Sequence, residues 1–481
     1  MTSAQWRPVV SKAAGPVYLA IADAIAADIA AGRLPEGTRL PPQRALADLL
    51  GLDFTTVSRA YSEARRRGLV EGRVGQGTYV RGSTAAPVPV SAPARPAGSA
   101  LTGGLVDMSM NLPPRFDDPA LAAAMWSALA ELEETHGQEA LGHEARGLDL
   151  LMRYQEPGGS ARDRAAGVAW LSPRLPGAAL DRTLVCPGAQ GALLATLGVL
   201  AAPGEVVLAE SLSYPGFLSL AAHLRLRALA VPGDAQGPLP DVFEALCAAH
   251  RPRAFYTSPT IQNPTTLTIP AARRAALADI ARAHGVAIVE DDAYGALPRA
   301  PVPPFAALAP DVTYHVAGLA KCLAPALRIA YLVAPDARAA VRLAGALRAT
   351  ASMASPLTAA LATRWIESGI ADRVLEAIRQ EAAARQALAA EILPRDAIGA
   401  DPEGFHLWLR LSPPWTRGEF TARLRTVGIG VVASDAFALG TPPEAVRLGL
   451  GASPSRAELA QSLRIVADLL GQPPALSSLV V

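Results

Sequence analysis

Residues Gly318 to Tyr331 read GLAKCLAPALRIAY, and the rest of the chain is organised around the lysine in that stretch, Lys321. The sequence holds 44 basic side chains, of which only Lys12 and Lys321 are lysines. An arginine keeps its proton near neutral pH and is a poor nucleophile. A desolvated lysine loses its proton, and its amine can then attack a carbonyl to form a Schiff base. Gly318, Leu319, Ala320, Cys322, Leu323 and Ala324 surround Lys321 with apolar groups, a setting that lowers its pKa. Arg328 follows within the same stretch, suited to grip a phosphate through two parallel hydrogen bonds. These are the features of a lysine that holds pyridoxal phosphate (PLP), with its phosphate arginine. A solvated surface lysine requires neither the apolar flanks nor the scarcity.

Working outward, residues 313–316 and 329–333 read as strands on either side of the lysine. Residues 182–186, 205–209, 254–257 and 286–290 read as further strands, and 192–200 as an apolar helix opening from the turn Pro187-Gly188-Ala189-Gln190-Gly191. Strands alternating with helices predict an α/β domain with a mainly parallel sheet, whose ligands sit at the carboxyl ends of the strands. Candidate site residues fall at those ends. Gly188-Ala189-Gln190 opens a helix, where free N–H groups and the helix dipole favour a phosphate. Tyr214 offers a flat face for a pyridine ring, and Asn263 offers an amide for a phenolic oxygen. The run Glu290-Asp291-Asp292-Ala293-Tyr294 ends an apolar strand with carboxylates. A carboxylate beside a pyridine nitrogen keeps it protonated and turns the ring into an electron sink. Each motif alone is weak; their order along the chain ahead of Lys321 makes the set specific.

The N-terminal region follows a different pattern. Ile21, Ile25 and Ile29 recur every four residues and share one helix face, and Gly32 ends that helix. Leu34-Pro35-Glu36-Gly37 makes a turn. Pro42 suits the first position of a second helix, with Leu46, Leu49 and Leu50 facing inward. Asp53 can cap a third helix over 54–67, stopped by Gly68. Residues 69–71 and 78–80 read as short strands joined by 72–77. Two short helices at a tight turn, followed by a hairpin, predict a mainly α winged helix-turn-helix. The third helix offers Thr55, Thr56, Ser58, Arg59 and Tyr61, with Arg65-Arg66-Arg67 at its end, groups suited to base edges and phosphates. Residues 82–105 are rich in Pro, Ala, Gly and Ser without periodicity and read as a semi-extended linker.

Composition sets the bounds. At 481 residues the chain is too long for one ordinary domain, and 51% of it is hydrophobic, enough for a large core. A formal net charge of +1 gives no global polyelectrolyte signal. The surplus of basic residues lies in 1–80, so a nucleic-acid partner is expected there. Cys186, Cys247 and Cys322 are too widely spaced for a metal site or a disulfide framework, which points to a reducing compartment and no metal. Residues 1–10 lack a secretory pattern, and the longest apolar stretch, 191–202, is too short for a bilayer. A soluble cytoplasmic protein with no membrane partner is expected.

Two resemblances follow from these residues. GRLPEGTRLPPQRALADLLGLDFTTVSRAYSEARRRGLVEGRVGQGTYV, residues 32–80, resembles the GntR-type winged helix of bacterial repressors. That resemblance carries the DNA-contacting positions over to Arg39, Arg44, Thr55, Thr56, Ser58, Arg59 and Tyr61, with Gly77 in the wing. Pro42 stands where family members often have Ser or Thr. Residues 106–470 resemble the aspartate-aminotransferase fold, PLP fold type I, with a smaller C-terminal α+β subdomain. The resemblance implies Lys321 as the Schiff-base lysine, Asp291 at the pyridine nitrogen, Asn263 and Tyr294 at the phenolic oxygen and Tyr214 stacked on the ring. It gives Ala189, Gln190 and Arg328 the phosphate. Arg447, in VRLGLG, matches the arginine that clamps a substrate carboxylate. Tyr154 matches a tyrosine that reaches the neighbouring subunit's phosphate, which implies a homodimer.

The chain departs from that pattern at several positions. Gly318 and Ala320 replace the usual hydroxyl residues, Thr266 replaces a glycine, and Ala326 and Ala330 replace glycines near Arg328. A weaker phosphate grip and weak or vestigial transamination follow. A winged helix over 1–81, a linker over 82–105 and an aminotransferase-like domain over 106–481 together resemble the MocR subfamily of transcription regulators. In that reading the chain binds operator DNA and senses PLP or an amino-acid-like effector through an aldimine at Lys321. The alternative is an active aminotransferase with an appended DNA-binding domain.

Overall fold

The structure, a computed structural model, describes residues 6, 8, 17–35, 37–66, 69–73, 77–80, 106–130 and 151–472. The chain divides into two compact units, Met1–Ala100 and Leu101–Val481. The expected linker at 82–105 and the expected helix stop at Gly68 lie outside the described residues.

In the small unit, helices Val17–Ala30, Gln43–Leu50 and Phe54–Arg66 precede a hairpin of Val70–Arg73 with Gly77–Val80. The hairpin register pairs Val70 with Val80 and Arg73 with Gly77. Ile21 and Ile25 are fully buried, as their spacing predicts, and Leu46 joins them in one core with Leu34, Leu40, Val57, Ala60 and Ala64. Leu49 and Leu50 are only half-buried. Pro42 precedes the second helix and supplies no side-chain cap, as its lack of a hydroxyl requires.

Tyr61 corrects the sequence reading. On the third helix Val57, Ala60, Tyr61 and Ala64 share one face at helical spacing, and that face is the core. Tyr61 is 1% exposed, and its hydroxyl donates to the Pro41 carbonyl at 2.8 Å. It braces the second helix against the third and cannot reach a DNA groove.

The large unit is built on a seven-stranded sheet. Its order is Thr183–Cys186, Ala330–Val333, Thr313–Gly318, Ala287–Asp291, Ala254–Thr257, Val206–Glu210 and Arg227–Val231. Every neighbouring pair is parallel except those made by Ala330–Val333, which runs against both neighbours. The central strands are buried on both faces, and their few polar side chains are buried with them. The six expected strands appear within one or two residues of their expected ends. The edge strand Arg227–Val231 was not foreseen. The helix after the first strand starts at Gly188 rather than at residue 192, so the expected turn forms its first turn. Pro187 tolerates the place before a helix because it has no N–H to satisfy.

A second, antiparallel sheet orders Ile398–Ala400, His406–Arg410, Ala445–Gly449 and Val432–Ala433. Helices Ile370–Ile392, Arg417–Thr426 and Arg456–Leu470 pack on it, giving the smaller α+β part. Val106–Asp107 pairs in parallel with Ile429–Gly430, and the residues that follow run closely past the strand Ala445–Gly449. Two glycines permit that approach. A Cβ at Gly449 would stand 2.4 Å from the Met110 oxygen, and one at Gly451 would stand 1.7 Å from the Leu112 oxygen. Gly451→Ala is expected to destabilise the large unit by about 1–3 kcal/mol through this overlap. Gly418→Ala, with no atom within 4 Å of the added carbon, should leave stability nearly unchanged. Thermal unfolding of the two variants beside the parent chain checks the contrast.

Candidate functional site

Five strands of the sheet, all running the same way, end at one place and deliver the candidate residues there. Asp291 is the last residue of its strand and Tyr294 lies just beyond it. Tyr214 follows Val206–Glu210, Asn263 follows Ala254–Thr257, and Gly188–Gln190 follows Thr183–Cys186. Lys321 follows Thr313–Gly318.

Lys321 is half-buried, and its Nζ donates to the main-chain oxygen of Asn111. Burial, helped by the Arg447 charge, pushes its ammonium down to about 8, while Asp291 pulls the other way. Asp291 is 4% exposed. One carboxylate oxygen accepts from the Tyr256 hydroxyl at 2.8 Å, and the other is buried without a partner. Burial pushes its carboxyl up to about 6 against the Tyr256 bond and the Lys321 charge, with Asp292 adding to the rise. Tyr214 is half-buried, and burial together with Asp291 raises its phenol.

Arg447 is 6% exposed. It donates to Asn263 Oδ1 at 2.8 Å and to the Ser109 main-chain oxygen, and its guanidinium lies 5.1 Å from the Phe437 ring centre. Tyr294 accepts at its hydroxyl from Asn111 Nδ2 at 2.8 Å and packs on Phe405 and His406. Burial and the nearby Arg447 charge hold His406 down at about 3, so this ring is neutral.

At the other end, Gly188 opens its helix at φ +75°. The Arg328 guanidinium would come within 3.4 Å of a Cβ there. Arg328 is exposed and has no ion-pair or hydrogen-bond partner among the described residues. Gln190 donates to the Gly216 oxygen at 2.9 Å while its own Oε1 is buried and unpartnered. Gly318 lies so near the Ala189 methyl, 3.3 Å from an added Cβ, that a larger residue would crowd the start of the helix. Thr266, where a glycine is usual, takes φ +66°, a conformation costing a β-branched residue about 1–2 kcal/mol.

The buried polar atoms of this region that lack partners include Asn111 Oδ1, Asp291 Oδ1, Gln190 Oε1 and Arg447 Nε. Each such atom costs about 1–3 kcal/mol when left unmet. A group that supplies partners to them recovers that cost. The set is an amine of lowered pKa, a carboxylate for a ring nitrogen, an aromatic face, and a helix start with a free guanidinium. It fits PLP, with a nearby arginine for a carboxylate.

Asn111 and Tyr256 were missed from the sequence. Asn111 lies in a segment without periodicity, and Tyr256 sits on a strand that reads as plain core. Further buried groups fix the surroundings. His315 Nδ1 and Glu290 Oε2 lie 2.8 Å apart, and Glu290 also accepts from the N–H groups of Phe305 and Ala306. Arg174 pairs with Asp292 at 3.2 Å. Arg274, fully buried, donates to the oxygens of Ile269, Pro259 and Pro303 and to Thr260 Oγ1, which pins the loop carrying Asn263. Tyr154 is 89% exposed on the single chain.

On the small unit, Arg39 and Arg44 are exposed and share a cleft of about 330 Å³ with Phe54. Arg44 lies over the Phe54 ring, and the exposed Arg59 lies over Tyr18 at 4.9 Å. Thr56 and Ser58 are half-buried beside them, off the core face. The side chain of Thr55 lies outside the described residues, and Gly77 starts the second strand of the hairpin.

The lowered pKa sets a pH profile for the unliganded chain. Labelling of Lys321 by an amine-reactive reagent should rise with pH through a midpoint near 8, well below that of an ordinary lysine. Asp291→Asn removes a charge that favours the ammonium, so its midpoint should fall further. Peptide mass mapping across a pH series, with Lys12 as internal reference, reads both.

The model of the aminotransferase class I and II family matches residues 132–466, and that of the gntR family of bacterial regulatory proteins matches residues 17–80. The chain is 29% identical over 467 residues to the HTH-type transcriptional regulator YdeF of Bacillus subtilis (strain 168), covering 97% of this chain and 96% of that one. It is 28% identical over 438 residues to the vitamin B6 salvage pathway transcriptional repressor PtsJ of Salmonella typhimurium, covering 89% and 93%. Its fold matches LysN, the alpha-aminoadipate aminotransferase of Thermus thermophilus, solved with N-(5'-phosphopyridoxyl)-L-leucine. The TM-score is 0.67 at 25% identity, over 78% of this chain and 94% of that one. No described helix is long and apolar enough to cross a membrane. The chain therefore belongs to the aminotransferase class I and II family, with a gntR-type region ahead of it in the MocR organisation.

Proposed function

We propose that the chain is a DNA-binding transcription regulator whose large unit holds PLP and answers to an amino compound. The observation that carries this reading is the joining, in one chain, of a winged helix-turn-helix to a buried amine ringed by unmet polar atoms. Relatives of the same organisation support it, since YdeF and PtsJ both match nearly end to end and both are described as regulators.

When bound, PLP supplies an aldehyde that condenses with amines and a pyridinium ring that withdraws electrons. Lys321 presents an amine already partly neutral near physiological pH. Asp291, held in place by Tyr256, would accept a hydrogen bond from the protonated ring nitrogen at its free oxygen and so keep the ring charged. Tyr214 lies against the ring, and Asn263 and Tyr294 take the phenolic oxygen. Ala189 and Gln190 at the helix start, with Arg328, hold the phosphate. Arg447, already facing Asn263 and Ser109, takes the effector's carboxylate. Asn263 is thus shared between the cofactor and the clamp, so that filling one alters the other.

Trp126, Met152 and Tyr154 expose 73%, 71% and 89% of their surfaces, a cost that a second copy of the chain removes by covering them. In that homodimer Tyr154 reaches the partner's phosphate site, and two winged helices read two half-sites of operator DNA. Arg39, Arg44, Thr55, Thr56, Ser58 and Arg59 make the contacts, with Gly77 in the wing. Residues 82–105 tether the two domains, and the protein acts in the cytoplasm.

The purified chain should show an absorbance band at the edge of the visible, and Lys321→Ala should abolish it while DNA upstream of its own gene is still retarded. Arg59→Ala should weaken that retardation about 10–100-fold and leave the band intact. An unchanged DNA affinity removes the third helix from the reading. Because Lys321, Asp291 and Arg447 lie together as catalysis needs, an aminotransferase is the second reading. Rapid conversion of an amino acid to its keto acid without DNA retardation would select it.

A further inference from the structure

Asn111 touches two of the motif residues, although no motif contains it. Its main-chain oxygen accepts from Lys321 Nζ, and its Nδ2 donates to the Tyr294 hydroxyl at 2.8 Å. The residue is 6% exposed, and its Oδ1 is buried without a partner. The bond to Tyr294 orients the amide, so its nitrogen is engaged and its oxygen is left to accept. A buried amide oxygen without a donor is rare in a folded chain and calls for a physical reason.

Arg447 has a matching deficit. It donates to the oxygen of Ser109, two residues before Asn111, and its Nε is buried and unpartnered. One short segment thus links a cation in search of an acceptor, an oxygen in search of a donor, and the reactive lysine. Those needs are the complement of a zwitterion. A carboxylate satisfies Arg447, and an ammonium satisfies Asn111 Oδ1 with a charge-assisted bond. Burial makes the demand selective, because a molecule lacking either charge leaves one group desolvated and unmet.

We infer that Asn111 selects for a charged amino group on the molecule that enters beside Lys321. Its Oδ1 accepts an N–H of the ammonium while Arg447 takes the carboxylate of the same molecule. The inference rests on the proposed reading of this pocket as a PLP-holding effector site. Through this contact Asn111 sets amine-free carboxylates aside.

The test uses the PLP-loaded full chain, with L-alanine and propanoate as probes and the cofactor's absorbance as the readout. These probes differ only in the amino group. Asn111→Ala should weaken L-alanine binding about tenfold or more and leave propanoate binding unchanged. Asn111→Asp keeps the oxygen and adds a negative charge. It should bind L-alanine at least as tightly as the parent chain and propanoate more weakly. That variant decides the matter even where the alanine variant fails to fold. Equal losses for both probes would reduce Asn111 to a brace for Tyr294 and overturn the inference, as would L-alanine binding indifferent to position 111. A parent chain without a cofactor band defeats the underlying reading instead, and the two failures are told apart by the band itself.

Discussion

A primary ammonium withdrawn from water is the constraint on which the rest of this molecule turns. Desolvation favours the neutral amine, and Arg447 adds repulsion, while Asp291 and the Asn111 oxygen hold the charged form in part. The balance lowers the Lys321 ammonium to about 8, well below that of an ordinary lysine. A more polar pocket would leave it fully protonated and inert. A pocket without Asp291 would lower it further and remove the carboxylate that a pyridine ring needs. The apolar flanks of Lys321, the strand ends around it and the small residues at 318 and 320 all serve this one balance.

Such a balance requires walls that do not move, and buried polar networks supply them. Arg274 satisfies four oxygens across two loops. Glu290 caps the short helix Phe305–Leu308 with two N–H bonds and is joined to His315. Glu210, pushed up to about 7 by burial, binds Thr257 and the Ser258 amide behind the Asn263 loop. Arg385 plays the same part in the smaller sheet, where it donates to the oxygens of Leu450 and Ser453. Breaking one partner of such a network leaves a desolvated group behind, so each acts as a rigid joint.

The sheet was legible because its strands are near-continuous apolar runs bounded by turn residues, and the strand ends then located Asp291, Tyr214 and Asn263. Lys321 was legible by rarity. The parts that escaped notice are those whose meaning is tertiary. Asn111 lies 210 positions before the lysine it touches, and nothing local marks it. Tyr256 reads as one more core aromatic until its hydroxyl is found on Asp291. Tyr61 was misassigned because it stands among surface donors in sequence, while helical spacing puts it four residues past Val57 on the core face. The short edge strand Arg227–Val231 mixes arginine with small residues and gives no clean period.

The close passage of residues 106–112 beneath Gly449 and Gly451 ties the glycines to the site. These residues continue directly from the expected tether, and they are also part of the pocket wall, through the oxygens of Ser109 and Asn111. Val106 is held by its pairing with Ile429, and the main-chain oxygens of Asn111 and Ser109 are held by Lys321 and Arg447. The backbone can run this close only because glycine presents a hydrogen atom at 449 and at 451. Any side chain at those positions would lift it away from the pocket.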